Sequence, residues 1–115
     1  MNIYEKTTTI YIPEFSKEDI ELICGMYEFL WTRDKMPKDI VHHMVTWGLQ
    51  YDGFAKALKI INLLGSRQFH KIATDRELSE SMMFSLEDYI NKCSNIELGN
   101  KALDMLKILR KAWRR

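Results

Sequence analysis

The stretch Thr74–Trp113, TDRELSESMMFSLEDYINKCSNIELGNKALDMLKILRKAW, decides the fold. It holds no proline, and its apolar residues recur at steps of three and four, the period of a helix with one buried face. Thr74 and Glu77 form a capping-box pattern, in which a hydroxyl accepts from a first-turn N–H and a carboxylate reaches back. The stripe that follows is Leu78, Met82, Ser85, Leu86, Tyr89 and Cys93. Ser94 and Glu97 repeat the pattern, with Cys93 and Leu98 placed as a hydrophobic staple. The next stripe is Leu98, Ala102, Met105, Leu106, Leu109 and Trp113. Two successive helices are expected.

Working toward the N-terminus, the same period continues. Phe54, Ala57, Leu58, Ile61 and Leu64 predict a third helix stopped by Gly65. Ser66 to Ala73 leaves room for a short helical turn. Pro37 suits the first turn of another helix, whose core face is Ile40, Val41, Met44, Val45 and Gly48, with Trp47 at its edge. Asp52-Gly53 marks a turn. The first helix opens at Ser16, whose hydroxyl can accept from the N–H of Asp19, with Phe15 and Ile20 as staple. Its stripe is Ile20, Ile23, Cys24, Tyr27, Leu30 and Trp31. A second row, Leu22, Met26 and Phe29, widens the apolar surface and predicts a central helix contacted on two sides. Only the start of the chain differs. Thr7, Thr8, Thr9, Ile10, Tyr11 and Ile12 alternate and are rich in β-branched residues, so they predict an extended strand ended by Pro13.

The expected fold is therefore all-α: a compact bundle of about five helices preceded by a short N-terminal extended strand. Residues 1–115 form a single helical domain, 1–13 an arm or strand and 14–115 the bundle. With 46% apolar residues the chain can bury a core without metal or disulfide. Cys24 and Cys93 lie among apolar residues and read as free, buried thiols of a reducing compartment. No apolar run reaches the length of a membrane span, and the first ten residues lack a signal-peptide core, so a cytoplasmic location is expected.

The search for chemistry returns little. The five glycines are scattered singly, so no phosphate cradle and no serine elbow is framed. Asp39 and His43 share a helix face, and His70 could join them. His42 and His43 point about 100° apart, however, and neither a third dedicated ligand nor a general base is identified, so no metal or other cofactor is expected. The seven methionines are core filler by their ordinary use, with an adaptable binding groove as the alternative. Glu18-Asp19 and Glu87-Asp88 fit a helix start and a solvated face.

Charge is unevenly spread. The total is +1, but residues 1–50 carry five basic against eight acidic residues, and residues 51–115 carry twelve against eight. The excess gathers at the end, in Lys101, Lys107, Arg110, Lys111, Arg114 and Arg115 against Asp104 alone. A helix C-terminus favours cations, yet four in the last six residues exceed what the dipole requires. Such a cluster can meet phosphate, an acidic protein face or an anionic surface, or can simply solubilise a frayed terminus.

Two stretches resemble DNA-binding families. Lys6 to Tyr51, as strand, Pro13, helix, Pro37, helix, resembles the ribbon-helix-helix repressors. That likeness implies a dimer in which the strand pairs with its twin and Thr7, Thr9 and Tyr11 read the major groove. It departs in a longer first helix and in the net acidity of this half. Leu58 to Ile72, through Leu63-Leu64-Gly65-Ser66-Arg67-Gln68, is similar to the turn of helix-turn-helix proteins. That likeness implies that Ser66, Arg67 and Gln68 open a recognition helix. The spacing after Gly65 is one residue short of that pattern.

The expected function is a small non-catalytic protein-interaction module, an inhibitor or adaptor of the kind a phage or mobile element encodes, acting by binding a partner protein. The alternative is a DNA-binding transcriptional regulator using the basic C-terminal half. The binding residues expected on either reading are Lys107, Arg110, Lys111, Arg114, Arg115, Arg67 and Gln68. A homodimer through the Thr7–Ile12 strand is also expected, because a lone strand's donors and acceptors need partners.

Overall fold

In the computed structural model the described residues are 2–5, 11–33 and 55–113. They form a hairpin of β1 (Asn2–Glu5) and β2 (Tyr11–Glu14), then five helices: α1 (Lys17–Arg33), α2 (residues 55–65), α3 (Phe69–Thr74), α4 (Arg76–Lys92) and α5 (Ile96–Ala112). The predicted helix after Pro37, with Asp39, His42, His43 and Trp47, lies outside the described residues. So do Thr7 to Ile10, Arg114 and Arg115. The all-α bundle is as expected, with α3 filling the stretch read as a short helical turn.

The strand differs from expectation. β2 begins at Tyr11 and runs through Pro13 to Glu14, and β1 pairs with it antiparallel, with Tyr4 opposite Ile12 and Ile3 opposite Pro13. Pro13 therefore does not end the strand. A two-stranded ribbon has two outer edges, so a residue without an N–H can sit within it. β2 rests on α3 and α5. The strand's partner comes from the same chain, which removes the reason for expecting a dimer.

Local chemistry sets the helix starts. At α1 the Asp19 N–H donates to Ser16 Oγ at 3.1 Å, and the Ser16 N–H donates to Asp19 Oδ2 at 2.9 Å. This is the predicted cap, with Asp19 completing a reciprocal box. The two later caps fall one residue beyond the prediction. Asp75, not Thr74, accepts from the Leu78 N–H, and Asn95, not Ser94, accepts from the Leu98 N–H, each at 3.1 Å. Thr74 closes α3 instead, its Oγ1 donating to the His70 carbonyl. Gly65 is the last residue of α2 but not its left-handed cap. Arg67 takes that role at φ 61°, and Gln68 N–H bonds back to the Leu63 carbonyl at 2.9 Å.

The core is one cluster drawn from all five helices and from Phe15, which meets Phe69 edge-on at 5.6 Å. Leu78, Met82, Leu86 and Tyr89 of the α4 stripe and Ala102 to Trp113 of the α5 stripe are buried as read, whereas Ser85 and Cys93 are half-buried. Leu98 is 36% exposed. In α2 the fully enclosed residues are Ile60 and Leu64. Among the described elements α4 touches α1, α3 and α5. Among the described residues no helix is long and apolar enough to cross a membrane.

Candidate functional site

α1 carries two working faces. Ile23, Met26, Tyr27 and Leu30 are buried in the core. About a third of a turn away, Glu18, Leu22, Gly25 and Phe29 follow one another at steps of four, three and four, which places them in a single row. α5 presents a matching row, Leu98, Lys101, Met105 and Ile108. Between these rows lies a groove of about 760 Å³, with Tyr89 of α4 also lining it. Phe29 stands edge-on to Tyr89 at 5.4 Å between ring centres. Of the second apolar row read from the sequence of α1, Leu22 and Phe29 line this wall, whereas Met26 is buried in the core.

The groove is apolar in its depth and acidic at its edge. Leu22, Phe29, Tyr89, Leu98, Met105 and Ile108 supply the apolar lining, and Glu18, Asp19, Glu21 and Asp104 supply four carboxylates. Lys101 is the one cation among the lining residues, and its Nζ lies 3.6 Å from the Glu97 carboxylate. Glu18 and Asp19 also suit the positive N-terminus of α1. Glu21 and Asp104 have no such local role. Gly25 sits mid-helix, exposed, and a Cβ built there would meet nothing within 4 Å.

The described residues among those expected to bind fall on α5 and on the α2–α3 connection. Lys107, Arg110 and Lys111 are exposed along α5. Arg110 reaches Glu87 of α4 at 3.4 Å, while Lys107 and Lys111 make no ion pair among the described residues. Arg67 lies in the turn between α2 and α3, and Gln68 is the N-cap residue of α3, with no side-chain cap hydrogen bond. The helix that follows them is only six residues long, and its Ile72 and Ala73 are buried in the core.

Other reactive groups are committed to structure. Ser79 is fully buried and donates to the Arg76 carbonyl, and Ser85 donates to the Ser81 carbonyl. Burial pushes the Tyr27 phenol up to about 12. Cys24 and Cys93 are free thiols, half-buried, and burial pushes the Cys24 thiol up, away from reactivity. Among the described residues no three histidines, cysteines or carboxylates gather as a metal site.

Comparison with known proteins gives no match to a family model, to a curated protein or to a solved structure. The groove's place could not be read from the sequence because its two walls, Glu18–Phe29 and Leu98–Ile108, lie at opposite ends of the chain, and only Leu22 and Phe29 of the second apolar row pointed to it.

Proposed function

We propose that this protein is a small non-catalytic interaction module that acts by holding a partner protein in the α1–α5 groove. The observation that carries the reading is the groove's apolar lining, where Leu22, Phe29 and Ile108 are half-buried and Leu98 is exposed around the buried Tyr89 and Met105. A surface of this kind is retained where something binds. The expectation of a partner thus moves from the basic terminus to the opposite chemistry, an acid-rimmed cleft. A cytosolic location belongs to the same proposal and suits the two free thiols.

The test is site-specific photo-cross-linking in lysate of the source cells. A photoreactive phenylalanine analogue is placed at Ile108, in the groove, and at Lys59, on the outer face of α2. Adducts of one discrete mass from position 108 and none from position 59 are expected. Equal adducts from both, or none from either, would overturn the reading.

A further inference from the structure

We infer that the groove takes a cationic amphipathic helix of about three turns, an inference that rests on the proposed module reading and adds the partner's chemistry to it. Its length follows from the walls. From Glu18 to Phe29 and from Leu98 to Ile108 each wall spans roughly 15–17 Å at about 1.5 Å per residue, so about eleven residues of a docked helix are covered. Its form follows from the rows. Both walls step by three and four, the ridges that a third helix packs against, and such a helix would present apolar residues at i, i+3, i+4 and i+7.

Its charge follows from the rim. Four carboxylates edge the cleft, and the lysine among them already has Glu97 beside it. An anionic partner, including nucleic-acid phosphate, would be repelled there, and a neutral helix would leave the rim unmatched. Gly25 supplies a separate argument. Glycine inside a helix costs about 1 kcal/mol relative to alanine. Among the described residues nothing lies within 4 Å of a Cβ built there, as is true also at Gly65 and Gly99, but of the three only Gly25 lines the groove. The open space beside Gly25 lies on the groove wall between Leu22 and Phe29, where a side chain of the docked helix would enter.

The experiment is fluorescence anisotropy with three labelled synthetic helices of about fourteen residues. One carries leucines at the four anchor positions and lysines elsewhere. A second replaces each lysine by glutamate, and a third scrambles the first. The whole protein should bind the lysine helix, weaken as salt rises, ignore the glutamate helix and bind the scrambled one at least about tenfold less well. Gly25→Leu should lose binding by at least about tenfold while its melting temperature does not fall, because the added side chain enters open space. Glu21→Lys with Asp104→Lys should do the same by reversing the rim, and Phe84→Ser, on the outer face of α4, should bind as wild type does. Absent binding of the lysine helix, or unchanged binding by both groove variants, would overturn the inference. A discrete cross-link from position 108 would in that case leave the module reading standing with a partner of other chemistry.

Discussion

Arg67 holds a backbone conformation that a side chain disfavours. At φ 61° it closes α2, and its left-handed turn lets the Gln68 N–H reach the Leu63 carbonyl. Glycine fits such a position without the clash between Cβ and the following carbonyl. Arg67→Gly should therefore stabilise the protein by about 0.5–1 kcal/mol, the glycine's extra freedom in the unfolded chain offsetting part of the gain. Urea unfolding measures it, and a loss of stability would show that the arginine side chain contributes a contact of its own. Tyr27 gives a second residue-level expectation. It is 2% exposed with its phenol pushed up to about 12, whereas an unfolded tyrosine titrates near 10. A raised acid favours the neutral form in the folded state. Its contribution is complete below pH 10 and is lost as the pH climbs through about 12, by at most about 2–3 kcal/mol. Denaturant unfolding from pH 9 to 12 should show that fall, and Tyr27→Phe should flatten it. Tyr89, also pushed up to about 12, leaves part of the slope in the variant.

At the scale of elements, the caps separate what the sequence tells from what it withholds. Thr74-Asp75 and Ser94-Asn95 each offer two capping residues in succession, so either could start the helix. In both pairs the second does, and its carboxylate or amide oxygen takes the N–H three residues on. Asp75→Ala and Asn95→Ala should each cost about 1 kcal/mol in thermal or urea unfolding, and Thr74→Ala and Ser94→Ala about half of that or less. The reverse ranking would return the start to the hydroxyl residues. The helices themselves were legible because Leu78 to Tyr89 and Ala102 to Trp113 keep one period over several turns. The hairpin was not. β1 is four residues long and shows too little alternation to stand out, and its pairing with β2 joins residues that are not neighbours in the sequence. Leu98 was misread for a related reason. Its spacing fits the core stripe of α5, but the stripe is wider than the core, and its edge opens onto the groove.

At the scale of the whole molecule, acidic residues outnumber basic ones around the groove, and the described cations of α5 other than Lys101 lie outside it. Carboxylates ring the α1–α5 groove, while Lys107, Arg110 and Lys111 lie on the solvent side of α5. The sequence disclosed this asymmetry along the chain but not which charges border an apolar surface, since that depends on how α1 and α5 meet α4. With the strand paired inside the chain, sedimentation equilibrium at micromolar concentration should give the mass of one chain. A dimer would require an interface other than β2's pairing edge. The basic residues then face a direct test. Lys107, Arg110 and Lys111 replaced together by glutamine should change stability little, since exposed charges contribute about 0–1 kcal/mol each. Anisotropy with duplex DNA at low and moderate salt should show weak binding at most, equal for unrelated sequences, and weaker still in the triple variant. The reason is geometric. Arg110 is shared with Glu87, α3 is too short and too buried to lie in a major groove, and the acid-rimmed cleft repels phosphate. Tight binding to one sequence, reduced by the triple variant, would move the protein's working surface from the groove to the outer side of α5.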